Sequence, residues 1–178
     1  MTIWVSSRFK APPLSQEIRP ARVVSLLAPW DEFPVFPEVQ PGNHLQLAFE
    51  DVESHDETDD PPMREHVEKL IAFMSDWDRS SPVLIHCWAG VSRSTASAFI
   101  ASCLLNPDQE ESEIAELLRQ ASPTAKPNRR LVAFADELMG RDGRMITAVM
   151  TMTPHTFEEE AEPFAIPSRF DALRGHWV

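Results

Sequence analysis

The sequence predicts an α/β fold, a small mixed or parallel central sheet of about four to five strands flanked by about five helices. Two observations carry this. Short apolar or alternating runs occupy much of the first half of the chain, while beyond residue 92 the apolar residues mostly recur at helical spacing. The third observation sets the centre. Val83-Leu84-Ile85 reads as a short buried strand, and it ends in a loop from which a helix starts. In such a sheet the site lies at the carboxyl end of the central strand.

Taken in order, Ile3-Trp4-Val5 is a short strand candidate, and Ala11-Pro12-Pro13 ends that region. Residues 22–28, around Val23-Val24-Ser25-Leu26-Leu27, make a better strand. Pro29, Pro34, Pro37 and Pro41 make 29–42 a loop. Residues 44–49 alternate, with Leu45, Leu47 and Phe49 facing a core. The acidic run 50–60 reads as a loop. Pro61-Pro62 then opens a helix to about Trp77, with Val67, Leu70, Ile71 and Met74 at helical spacing. After strand 83–86 and its loop, small and apolar residues predict a helix over 92–105.

Asn106-Pro107 breaks the chain. Asp108 begins an amphipathic helix that buries Ile114, Leu117, Leu118 and Ala121. A turn over 122–127 leads to a helix from Asn128 to about Met139, ended by Gly140 and Gly143. Residues 145–153 are apolar but too short to assign. The domain is expected to span 1–153, with 154–178 an acidic tail. That tail carries Phe157, Phe164, Ile166, Phe170, Leu173 and Trp177, so part of it should pack on the domain or on a neighbouring chain.

Composition narrows the function. The 178 residues suffice for one domain with a sizeable core, and the 43% hydrophobic and 25% charged content is that of a globular protein. A net charge of −12 argues against nucleic acid and anionic membranes as partners. Two cysteines, Cys87 and Cys103, make no disulfide framework. No signal peptide or membrane-spanning run is visible. A reactive thiol favours a reducing compartment, so the expected location is cytoplasmic. His44, His55, His66, His155 and His176 show no metal-ligand spacing.

The chemistry gathers in His86-Cys87-Trp88-Ala89-Gly90-Val91-Ser92-Arg93-Ser94. A cysteine leaving a strand faces a helix start, and an arginine returns to the same loop six positions later. Converging backbone N–H groups and the helix dipole make such a loop a place for a thiolate and an oxyanion. Taken alone, Cys87 could be an inert buried cysteine. That reading leaves Arg93 and the loop's composition unexplained. Cys103 lies roughly 15 Å further along the helix at 1.5 Å per residue, out of reach of a disulfide, and reads as core.

This run resembles the signature loop of the protein tyrosine phosphatase superfamily, in its dual-specificity branch. The resemblance covers roughly residues 20–142 and implies a phosphatase-like fold. It implies that Cys87 attacks phosphorus, that Arg93 holds the phosphate oxygens, and that Ser94 eases breakdown of a cysteinyl-phosphate. The loop residues Trp88, Ala89, Gly90, Val91 and Ser92 would cradle the phosphate, with His86 orienting the cysteine. The family's general acid is an aspartate on an upstream loop. Asp51, directly after the 44–49 strand, is the first candidate and Asp56 the second. Arg119-Gln120-Ala121-Ser122-Pro123…Pro127-Asn128 resembles a segment whose asparagine braces the signature loop. On its own, Asn128 would read as a helix N-cap and Arg119 as a surface arginine.

The family needs neither metal nor organic cofactor. The resemblance therefore implies a phosphatase acting on phosphotyrosine, and on phosphoserine and phosphothreonine if dual in specificity. The substrate would be a phosphorylated protein or a small phosphomonoester. No lysine lies between Cys87 and Arg93, and with the net negative charge this disfavours polyanionic lipid headgroups and RNA ends. Two alternatives stand beside it. One is a phosphate-binding, pseudophosphatase-type module without useful turnover. The other is a thiol enzyme resembling rhodaneses or arsenate reductases, against which Ser94 and the upstream aspartate argue. The oligomeric state is open.

Overall fold

A computed structural model describes residues 1–170. Leu173 and Trp177, expected to help pack the tail, lie outside the described residues. A five-stranded mixed sheet has strand order β3-β2-β4-β1-β5. The strands are β1 (Thr2–Ser7), β2 (Arg22–Leu27), β3 (His44–Ala48), β4 (Val83–Cys87) and β5 (Phe164–Pro167). β1 to β4 run parallel, and β5 pairs antiparallel with β1 at the edge.

β4 is central and buried throughout, as an uninterrupted apolar run requires. Its pleat divides its side chains. Val83, Ile85 and Cys87 join the main core, while Leu84 joins a smaller cluster with Ala11, Val23 and Phe36 on the other face.

Among the described residues, six α-helices cover the sheet: α1 (Ala11–Ile18), α2 (Arg64–Ser75), α3 (Arg93–Leu105), α4 (Glu111–Ala121), α5 (Arg129–Leu138) and α6 (Arg144–Thr151). α3 is buried at every residue but Leu104. It is apolar or small nearly all round because α2, α4 and α5 pack about it, leaving it no polar face.

Three elements differ from the expectation. Ala11-Pro12-Pro13 starts α1 rather than ending a region. The prolines occupy the first turn, where N–H groups have no intrahelical partner to lose. Residues 144–151 form α6, whose exposed N-terminus is satisfied by Asp136. Its carboxylate accepts from Gly143 N at 2.6 Å and Met145 N at 2.7 Å. Finally, the sheet extends beyond residue 153. β5 aligns Phe164 with Val5 and Ile166 with Ile3, and Phe164, Ile166 and Phe170 are buried. The segment expected as a tail therefore supplies a strand to the domain's own sheet. Among the described residues, no helix is long and apolar enough to cross a membrane.

Candidate active site

β4 delivers His86 and Cys87, α3 begins at Arg93, and the five residues between form a loop over the carboxyl end of the sheet. Gly90 makes its tightest approach. Its φ is +78°, and a Cβ there would lie 2.9 Å from Ser6 C and Ser7 N of β1. Only glycine fits both the conformation and the space. The loop's carbonyls are engaged by the body. Arg8 N–H donates to Trp88 O at 3.0 Å, Ala161 N–H to Ala89 O at 2.9 Å, and Lys126 N–H to Val91 O at 2.9 Å. The Gly90 N–H, by contrast, donates to Cys87 Sγ at 3.3 Å.

Cys87 is buried, and its Sγ lies 3.1 Å from Ser94 Oγ. A hydroxyl and a backbone N–H on one sulfur are donors suited to a thiolate. Cys103 differs. It is buried in the core, and desolvation pushes its thiol well above the ordinary range, which leaves it unreactive. Both cysteines are free.

Arg93 is only 5% exposed. Its Nη1 donates to Phe49 O at 2.7 Å, which fixes the side chain beneath the end of β3. Its Nε makes no hydrogen bond, and Asp51 Oδ2 stands 3.8 Å from it. A buried guanidinium with so few partners has donors in reserve, in a planar fork matched to two oxygens of a tetrahedral oxyanion.

Asp51 is tied to the same loop. Its Oδ1 accepts from Ser92 Oγ at 2.7 Å and from Asn128 Nδ2 at 2.9 Å. Asp56 sits on a 3-10 turn, His55–Glu57, with its side chain 98% exposed, and lines no part of the pocket that Arg93 and Asp51 line.

Asn128 acts on a different partner from the one the resemblance implies. Its side chain grips the acid-bearing loop, donating to Asp51 Oδ1 and to Val52 O at 3.1 Å. Only its backbone N–H reaches the cysteine loop, at Ser92 O. Its Oδ1 also accepts from Leu131 N at 3.1 Å, so it is the N-cap of α5 as well. One amide fills both roles because its oxygen and nitrogen point in different directions.

His86 is fully buried on the far side of β4. Its Nε2 lies 2.6 Å from Ser25 Oγ, and that oxygen lies 2.8 Å from His44 Nε2. Desolvation, first of several causes, lowers the His86 pKa to about 3, so the ring is neutral.

Two parts of the site are not evident in the sequence. Arg119, expected on the surface, donates to the carbonyls of Ser122, Pro123, Ala125 and Thr153. It thus braces the turn that carries Lys126 toward the loop. The second part is the segment after residue 154. The pocket over the loop, about 560 Å³, is lined by Trp88, Ser92, Arg93, Asp51 and Asn128, and also by His155 to Glu159. An exposed phenylalanine, Phe157, set among glutamates was the available signal.

No protein-family model matches the chain, and no curated protein matches it in sequence. Solved structures do match in fold. Human DUSP28 superposes with a TM-score of 0.59 at 19% identity, over 78% of this chain and 94% of that one. The Yvh1 phosphatase domain from Chaetomium thermophilum gives 0.58 at 21%, over 80% and 93%. The PTP-2 phosphatase of Cydia pomonella gives 0.59 at 16%, over 92% and 94%. The chain has the α/β fold of the dual-specificity branch of the cysteine-based phosphatases.

Proposed function

We propose that this protein is a cysteine-dependent phosphatase that hydrolyses phosphate monoesters on protein side chains. The observation that carries the reading is the arrangement around one sulfur. Cys87 Sγ receives the Gly90 N–H and adjoins Ser94 Oγ, while the buried Arg93 on the same loop keeps donors in reserve. The fold shared with dual-specificity phosphatases agrees with it.

In the first step Cys87 attacks phosphorus in line with the ester oxygen. The S–P bond forms as the P–O bond breaks. Arg93 and the loop N–H groups stabilise the charge on the equatorial oxygens. Asp51, held beside Arg93, gives its proton to the departing oxygen. In the second step Asp51 takes a proton from water, which attacks the cysteinyl-phosphate. Cys87 leaves as thiolate, stabilised by Ser94 and Gly90. The products are the free hydroxyl and inorganic phosphate.

Charge and shape support a protein substrate. PTPMT1, another fold neighbour at a TM-score of 0.55, has been solved with the phosphoinositide PI(5)P. Here the pocket sets Asp51, Glu158 and Glu159, with Glu53 already paired to Arg129, against Arg93 and Lys126, a lining that does not favour a polyanionic headgroup. Trp88 of the loop and Phe157 both line the pocket, and aromatic lining suits an aryl phosphate, and so phosphotyrosine. A reducing cytoplasm would keep Cys87 competent.

The test is hydrolysis of para-nitrophenyl phosphate by wild type, Cys87→Ser and Asp51→Ala. We expect turnover by wild type with competitive inhibition by vanadate, and none by Cys87→Ser. Turnover that survives Cys87→Ser overturns the reading.

A further inference from the structure

Residues 154–163 cross the mouth of the pocket before the chain enters β5. The crossing is anchored at both ends. Thr156 N–H donates to Pro123 O at 2.9 Å, and Ala161 N–H donates to Ala89 O of the cysteine loop. Two of its four glutamates are used in fastening it. Glu160 accepts from Ser7 Oγ at 2.5 Å, and Glu162 pairs with Lys10 at 2.7 Å.

The middle of the strap is built differently. Phe157, Glu158 and Glu159 line the pocket, all three exposed, with Phe157 at 85%. Among the described residues neither Glu158 nor Glu159 has an ion-pair partner. Glu53, the remaining rim glutamate, is already matched by Arg129, whose guanidinium holds its carboxyl below the usual range.

The same pocket contains the buried Arg93 with its unbonded Nε, which marks where an oxyanion belongs. An aromatic face beside two unpaired carboxylates is the chemistry that recognises arginine. Its planar cation stacks on a ring while its fork bonds to carboxylate oxygens.

Resting on the phosphatase reading above, we propose that Phe157, Glu158 and Glu159 form a subsite for an arginine flanking the phosphorylated residue. The enzyme's substrates are then arginine-flanked phosphopeptides. Arg93 takes the phosphate, and the strap takes the neighbouring cation.

The experiment uses the full chain with four matched phosphotyrosine peptides, differing only in Arg, Lys, Gln or Glu beside the phosphotyrosine. Turnover is measured as kcat/KM. Binding is measured separately by fluorescence with Cys87→Ser. We expect the Arg peptide to exceed the Gln peptide by about tenfold at low salt, with Lys between and Glu lowest. The Arg-to-Gln ratio should shrink as salt rises. In Glu158→Gln/Glu159→Gln the ratio should approach one, and in Glu158→Lys/Glu159→Lys the Glu peptide should become the best.

Peptides of equal kcat/KM in a wild type that turns over para-nitrophenyl phosphate would overturn the subsite and leave the phosphatase intact. So would a ratio unchanged in the double Gln variant, or a rise for all substrates alike, which would make the strap a lid. Failure of wild type to turn over any substrate would overturn the phosphatase reading instead. The binding ratios then decide the subsite on their own.

Discussion

Ser92 Oγ donates to Asp51 Oδ1 at 2.7 Å and so ties the last residue of the cysteine loop to the first acidic loop of the chain. The two residues are 41 positions apart. The link holds Asp51 against the loop that carries Cys87 and Arg93.

If Asp51 is the leaving-group acid, Asp51→Ala should lower kcat by about 100-fold or more, with a smaller loss on activated aryl phosphates than on a phosphopeptide. Asp56→Ala should retain wild-type kcat, because that side chain stands in solvent outside the pocket. Steady-state rates at pH 6 decide it. A normal Asp51→Ala enzyme would remove Asp51 from the mechanism.

Ser94 Oγ lies 3.1 Å from the sulfur of Cys87. Ser94→Ala should therefore slow breakdown of the intermediate more than its formation. Rapid-quench measurements should give a burst of nitrophenol followed by a slower steady state. Absence of a burst, with the first step equally slowed, would contradict this placement.

Asn128→Ala removes both the grip on Asp51 and the cap of α5. We expect a loss of about 1 kcal/mol in stability from the cap alone. The kcat should fall about tenfold with KM little changed, since the acid is mispositioned while the phosphate cradle stays. Asn128→Asp should recover the cap without recovering kcat, because a carboxylate cannot donate to Asp51.

Gly90→Ala forces a Cβ to 2.9 Å from the β1 backbone at a positive φ. The expected cost of about 2 kcal/mol or more should lower Tm by roughly 4–8 °C for a chain of this length. Calorimetry reads it directly, and an unchanged Tm would mean that loop and strand separate easily.

His86 and His44 are both held below their ordinary pKa by burial, His86 to about 3. Unfolded, each titrates near 6.5. Below that pH the unfolded chain binds protons that the folded chain refuses. The stabilisation is thus complete above pH 6.5 and is lost as pH falls toward 3. The urea midpoint should drop between pH 7 and pH 5, and His86→Gln should weaken that dependence. A midpoint that rises on acidification would contradict it.

The centre of the molecule was legible because its signals are local. A buried strand, a loop and an apolar helix are contiguous from Val83 to Leu105, and side-chain chemistry is written at each position. The placement of Asp51 beside the loop was legible because it closely follows an alternating strand. α1 was not, since Pro12-Pro13 reads equally as a break or as a first turn, and only the packing of Ala11 and Leu14 over Leu84 distinguishes them. α6 depends on Asp136, seven residues before Gly143, for its start. The strap has no periodicity at all. Its anchors, at Pro123, Ala89 and Ser7, are all distant in sequence, and no local pattern can announce such contacts.

β1 lies between β4 and β5, and this fixes an order of events during synthesis. β1 has partners that begin at residues 83 and 164, so one of its edges waits for β4 and the other stays unpaired until β5 is made. One wall of the pocket comes only just before β5, once Ala161 can reach Ala89. A ribosome carrying this chain therefore exposes the Cys87 loop before the strap that crosses its pocket has been made.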